Sequence, residues 1–156
     1  MIMHTNSDSS LRERLKAYWQ SIGVKIRPGA SDAELDAFEA KHQVKLPEDF
    51  RSYLRVVDGM EEGDSDKELR EFYPLHGLRN LADENWGDPE PFRPNLCFVI
   101  IDYMISSHGY VICLNGAPDT PTPILFVGGA VAIVAPSFSA FIEAYLSDPD
   151  TIVFPS

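Results

Sequence analysis

The period of the apolar residues changes part-way along this chain, and that change limits the fold more than any other feature of the sequence. Up to residue 59, apolar side chains recur every three or four positions, the spacing of one helix face. Leu11, Leu15, Tyr18 and Ile22 share such a face, between a Ser10/Glu13 capping-box pair and Gly23, which predicts a helix over about 11–22. After the turn "KIRPGAS", Ser31 and Glu34 form a second box ahead of Leu35 and Phe38, in a helix ending near His42. "VKLP" reads as an extended approach, because a residue preceding proline avoids the helical region. Pro47 then opens a third helix, with Glu48 and Asp49 at its positive end. Phe50, Leu54 and Val57 follow on one face, Leu54 is expected in the core, and Gly59 fits a left-handed stop.

Beyond residue 95 the apolar residues come in short runs: "LCFVIIDYM", "GYVICLN", "PILFVG" and "AVAIVA". Turn signals at 106–109, 115–123 and Gly128-Gly129 separate them, as in an antiparallel meander. Ser137 caps a last helix whose buried face is Phe138, Phe141, Ile142 and Tyr145. Between the halves, "EEGDSDKELRE" is a solvated loop and "FYPLHGL" a short strand. "NLADENWGDPEPFRPN" is irregular, with one helical turn at its start. Helices, then a meander, then a closing helix make an α+β fold, and 156 residues suffice for one domain with its own core.

The formal charge of −11 is unevenly spread. Residues 1–55 hold nine bases and eight acids, residues 58–93 hold four bases and eleven acids, and no Lys or Arg follows Arg93. Such a chain repels phosphate backbones and anionic lipid, which disfavours nucleic-acid and membrane binding and favours a basic protein partner. The start "MIMHTNSDSS" lacks the pattern of a secretory signal, and Cys97 and Cys113 both sit in apolar runs. Two buried thiols in a soluble, cytoplasmic protein are the expectation.

Two separated segments carry a family pattern. "LPEDFRSYLRVVDG" and "VAPSFSAFIEAYL", on either side of the strand-rich middle, resemble the SMI1/KNR4 family of the SUKH superfamily. The matching positions are Glu34 and Glu39, Leu46-Pro47, Glu48-Asp49, Phe50, Tyr53-Leu54 and Asp58-Gly59, the last replacing a common Asn-Gly. "HGYVICLN" looks like the family's glycine-containing strand, ending here in Asn115. The resemblance spans roughly 28–147. It implies helices packed on a mainly antiparallel sheet and a protein that binds other proteins, either an immunity protein neutralising a toxin or a regulatory adaptor.

Catalytic readings are weaker. Cys113 with His108 would make a small hydrolase, but both thiols alternate with Val, Ile and Leu as buried hydrophobes do. The histidines lack metal-site spacing, Glu48 and Asp49 diverge on their helix, and Gly128-Gly129 lacks the lysine of a phosphate loop. Arg51 and Arg55 read as a solvated helix face. No catalytic residue, metal or cofactor is therefore expected. The candidate partner-binding residues are Asp58, Glu61, Glu62, Asp64 and Asp66 on the acidic segment, which holds seven acids and two bases over 58–71. Trp86, in the proline-rich connection, is either an exposed anchor or a side chain packed beneath its loop. The expected partner is a basic toxin domain, its active surface covered by this chain.

Overall fold

The computed structural model describes residues 3–114 and 122–153. Four α-helices, α1 (Met3–Ser21), α2 (Asp32–His42), α3 (Glu48–Val56) and α4 (Phe138–Ser147), pack on a mainly antiparallel sheet. Its strands are β3 (Arg70–Phe72), β4 (Arg79–Asn80), β5 (Cys97–Tyr103), β6 (His108–Cys113), β7 (Ile124–Val127) and β8 (Val131–Ala135). They run in the order β3-β5-β6-β7-β8, with β4 also on β5. A separate ribbon pairs β1 (Ile26–Pro28) with β2 (Val57–Met60). Most of the expected turn over 115–123, and the strand end at Asn115, lie outside the described residues.

In the helical half, α2 follows from its cap and α3 from its apolar spacing. Ser31 and Glu34 form both bonds of the capping box, and Leu35 and Phe38 are buried as the spacing predicts. Phe50 and Leu54 are fully buried on α3, whose first residue follows Pro47. Rings tie each helix to its neighbours: Phe50 to Phe138 at 4.9 Å, Phe38 to Phe98 at 5.2 Å and Trp19 to Phe72 at 4.7 Å. On α4, Ser137 caps Ala140, and Phe138, Phe141, Ile142 and Tyr145 are buried.

Three details differ from the sequence reading. Helix α1 spans Met3–Ser21 among the described residues, so Ser10 lies inside it and does not cap it. Its fully buried face is Leu11, Leu15 and Trp19, four residues apart, while Tyr18 and Ile22 are only partly covered. Gly59 does not stop α3, because the helix passes straight into β2 at Val57. Gly59 does have a positive φ of 68°, and a Cβ there would sit 2.6 Å from the carbonyl oxygen of Tyr73. The glycine therefore permits β2 to lie against the chain leaving β3.

A bulge divides the sheet's two faces. Cys97 and Val99 point to one side, Phe98 to the other, and the irregular register after Val99 puts both Ile100 and Ile101 on the helix-covered side. The back face, with Cys97, Val99, Val111, Cys113, Leu125 and Val127, is covered by Leu81, Tyr73, Trp86 and Phe92.

Candidate protein-interaction surface

The loop from β2 to β3 carries most of the candidate acids, and it is built rather than slack. The amide of Glu61 donates to the carbonyl of Lys25 at 2.8 Å, and Asp64 accepts from the amide of Lys25 at 2.6 Å. The amide of Gly63 donates to Glu71 at 2.9 Å. Glu61 and Glu62 are exposed on this frame, and Asp64 is half-buried.

Two of the five acids are not surface charges. Asp58 is 4% exposed and accepts from the amide of Leu75 at 2.7 Å, with Arg27 at 4.0 Å. Burial raises its pKa, opposed by the Leu75 hydrogen bond and by Arg27 and His76. Asp66 is 5% exposed and accepts from the amides of Glu68 and Arg70 and from the hydroxyl of Tyr145. That hydroxyl also accepts from the Trp19 indole at 3.1 Å. Burial first, then the charge of Asp66, pushes the Tyr145 pKa far up, so the phenol keeps its proton and donates. Arg70 is buried next to Asp66, donating to Tyr110 at 3.2 Å with its guanidinium 4.7 Å from the Tyr103 ring. Both aspartates hold backbone in place, as buried carboxylates with satisfied acceptors do. A count of charges along the chain cannot see this.

Trp86 packs against the back-face cluster and is half-buried, the second of the two settings open to it. Its neighbour Gly87 abuts Val131 on β8, whereas the acidic loop joins β3 at the opposite edge of the sheet. Four strand spacings separate those edges, about 19 Å. The tryptophan and the acids therefore belong to different parts of the surface.

The Cys113/His108 pair is not assembled. The residues are five apart on β6, about 16 Å along an extended strand and on opposite faces. His108 stacks on Phe126 with ring centroids 5.0 Å apart, and its Nδ1 lies 2.8 Å from the Ser107 hydroxyl. Among the described residues no group of three or more His, Cys, Asp or Glu could hold a metal, and no helix is long and apolar enough to cross a membrane. Arg51 and Arg55 are not a merely solvated face either. Arg51 reaches Asp36 at 2.7 Å and Glu39 at 3.4 Å, and Arg55 reaches Asp32 at 2.7 Å, clasping α3 to α2.

The profile of the SMI1 / KNR4 family (SUKH-1) matches residues 29–144, from the turn before α2 to within α4. The chain belongs to that family. No curated protein matches it significantly. Membership supports a protein-binding module of the immunity type, in a family whose members are generally non-catalytic. In this SMI1/KNR4 domain the two family segments meet physically: Asp49 of the first accepts from the amide and hydroxyl of Ser139 in the second, at 2.8 and 3.0 Å.

Proposed function

We propose that this SMI1/KNR4 domain is an immunity protein that binds a basic toxin domain and covers its active surface, using Glu61, Glu62 and Asp64 to draw the partner in. The observation that carries the reading is the β2–β3 loop. It displays like charges on a backbone pinned by Lys25 and Glu71, in the stretch where eleven acids face four bases. Asp64 and Glu71 hold the loop's backbone, but the exposed carboxylates of Glu61 and Glu62 beside them add like-charge repulsion, so a cationic partner is a physical reason for them. Complementary charge raises association rates by roughly 10 to 10³-fold, and the gain is screened by salt. The two free, buried thiols fit action in a reducing compartment such as the cytoplasm. Asp58 and Asp66 support the surface from inside, and Trp86 supports the back of the sheet.

The test is binding to the protein encoded beside this chain's gene, measured at low and high salt. Replacing Glu61→Gln and Glu62→Gln together should slow association at low salt and flatten its salt dependence, with the melting temperature unchanged. Adding Asp64→Asn should slow it further and lower the melting temperature slightly, because that carboxylate also holds the Lys25 amide. Wild-type rates in both buffers would remove the loop from the interface. A neighbour that the wild-type domain neither binds nor inhibits would remove the immunity reading itself.

A further inference from the structure

Among the described residues four large hydrophobic side chains are exposed, and three of them lie together. Leu69, just before β3, is 41% exposed; Met104 and Ile105, in the β5–β6 turn, are 47% and 80% exposed. The amide of Met104 donates to the carbonyl of Leu69 at 3.0 Å, which joins the two segments into one apolar knob.

The backbone beneath the knob is strained. Leu69, Met104, Ile105 and Ser106 all have positive φ, between 53° and 64°. Side chains other than glycine, asparagine and aspartate rarely adopt that region, and a β-branched residue such as Ile105 does so at a clear penalty. Ile105 does not recover that penalty by burial within the domain. The turn is nevertheless fixed: the amide of Ser106 donates to the Asp102 carboxylate at 3.1 Å, and that of Ser107 to the Met104 carbonyl at 3.3 Å. Rigid, exposed and apolar is the profile of an anchor prepared for a partner.

Its surroundings say what kind of partner. Ile105 and Ser106 line a groove with Glu62, Glu71 and Asp102, and with Arg79 and His76. Arg79 is already engaged by Glu84 at 3.6 Å and by the Tyr73 ring. Glu68 adds an exposed carboxylate beside Leu69. An apolar centre within a mostly acidic rim complements a cationic protein face that has an apolar recess in it.

Resting on the immunity reading above, we propose that Leu69, Met104 and Ile105 form the anchor of the interface, seated in an apolar recess of a basic protein domain after the acids have steered it in. Steering acts on association and a seated anchor on dissociation, so the two roles separate kinetically.

The experiment uses the full chain and the immobilised product of the adjacent gene. Ile105→Asn removes the apolar contact while suiting the left-handed backbone. It should raise the dissociation rate about tenfold or more, leave association unchanged and not lower the melting temperature. Leu69→Ala supplies a second variant with the same expected direction. Ile133→Asn, exposed on β8 at the other edge, should leave both rates unaltered. If the wild type binds and both knob variants dissociate at its rate, the anchor is overturned while the immunity reading stands. If the wild type does not bind, both fall together. If sedimentation shows a wild-type dimer that Ile105→Asn dissolves, the knob seats a second copy of this chain and the proposal is overturned.

Discussion

The Asp49 carboxylate, in the first turn of α3, accepts both the amide and the hydroxyl of Ser139, in the first turn of α4. The same side chain accepts from the amide of Phe50 at 2.8 Å. One residue thus serves two helix starts ninety positions apart, supplying negative charge where both expose unpaired amides. Asp49→Ala should destabilise the domain by about 1–3 kcal/mol, and Asp49→Asn by less, because the amide oxygen still accepts. Urea denaturation measures both. Equal stability of Asp49→Ala and the wild type would mean that water replaces the carboxylate at no penalty.

Asp58 predicts an unusual pH response. An acid whose folded pKa lies above its unfolded one keeps its proton longer in the native state. Its contribution is therefore fully present below the unfolded pKa and is lost as pH rises through the folded one. Asp58 follows that sign, since burial raises its pKa. Asp58→Asn retains an acceptor for the Leu75 amide and removes the buried charge. The variant should melt higher than the wild type at pH 7, and the difference should close as pH falls into the ordinary aspartate range. Thermal melts across pH check this, and a variant that melts lower at pH 7 would show that Arg27 more than offsets the desolvation.

Tyr145 joins α4 to α1 and to the β2–β3 loop through one oxygen. Tyr145→Phe leaves the Trp19 indole N–H and one acceptor of Asp66 unsatisfied in the core, and should destabilise by about 1–3 kcal/mol. Unaltered stability in a denaturant melt would indicate that another group takes over both bonds.

The thiols should be inert in the native state. Cys97 and Cys113 face each other across β5 and β6, both buried and unoxidised. The neighbouring Cys97 sulfur and burial push the Cys113 pKa up, which keeps that sulfur protonated, while the Cys97 thiol donates to the Arg93 carbonyl at 3.2 Å. Labelling by a thiol reagent should be slow and should accelerate in step with unfolding in urea. Rapid labelling of the native domain would show that the back face opens independently.

Local order was readable in the sequence and long-range pairing was not. The Ser31/Glu34 box, Phe50 and Leu54 in the core, the buried face of α4 and the four main strands all follow from signals within a few residues of one another, whereas Val57, expected on the same helix face as Phe50 and Leu54, opens β2. The β1–β2 ribbon joins Ile26 to Met60, and "KIRPGAS" holds no sign of a partner so far along the chain. Trp19 escaped because its aromatic neighbour Tyr18 fits a helix face as well by spacing alone. The acids of the segment 58–71 read as equivalent, yet Asp58 is drawn inward by the amide of Leu75 and Asp66 by the hydroxyl of Tyr145, partners that only the folded chain places. The knob was hidden for a similar reason. Met104 closes a run that reads as a strand, and only the left-handed turn after Tyr103 turns it and Ile105 outward.

The clasp of α3 on α2 bears on the order in which the domain assembles. Arg51 meets Asp36 and Glu39 within fifteen residues, and Glu39 also accepts from the amide of Leu46. Asp49 must instead wait for Ser139 to arrive across the whole meander. Closing a short loop loses less chain entropy than closing a long one, so the helical pair is the natural nucleus and α4 the final closure. Arg51→Ala should then mainly slow refolding and Ser139→Ala mainly hasten unfolding, a division that chevron kinetics would expose or refute. A chain emerging residue by residue would hold its α2–α3 pair well before the helix that completes it exists.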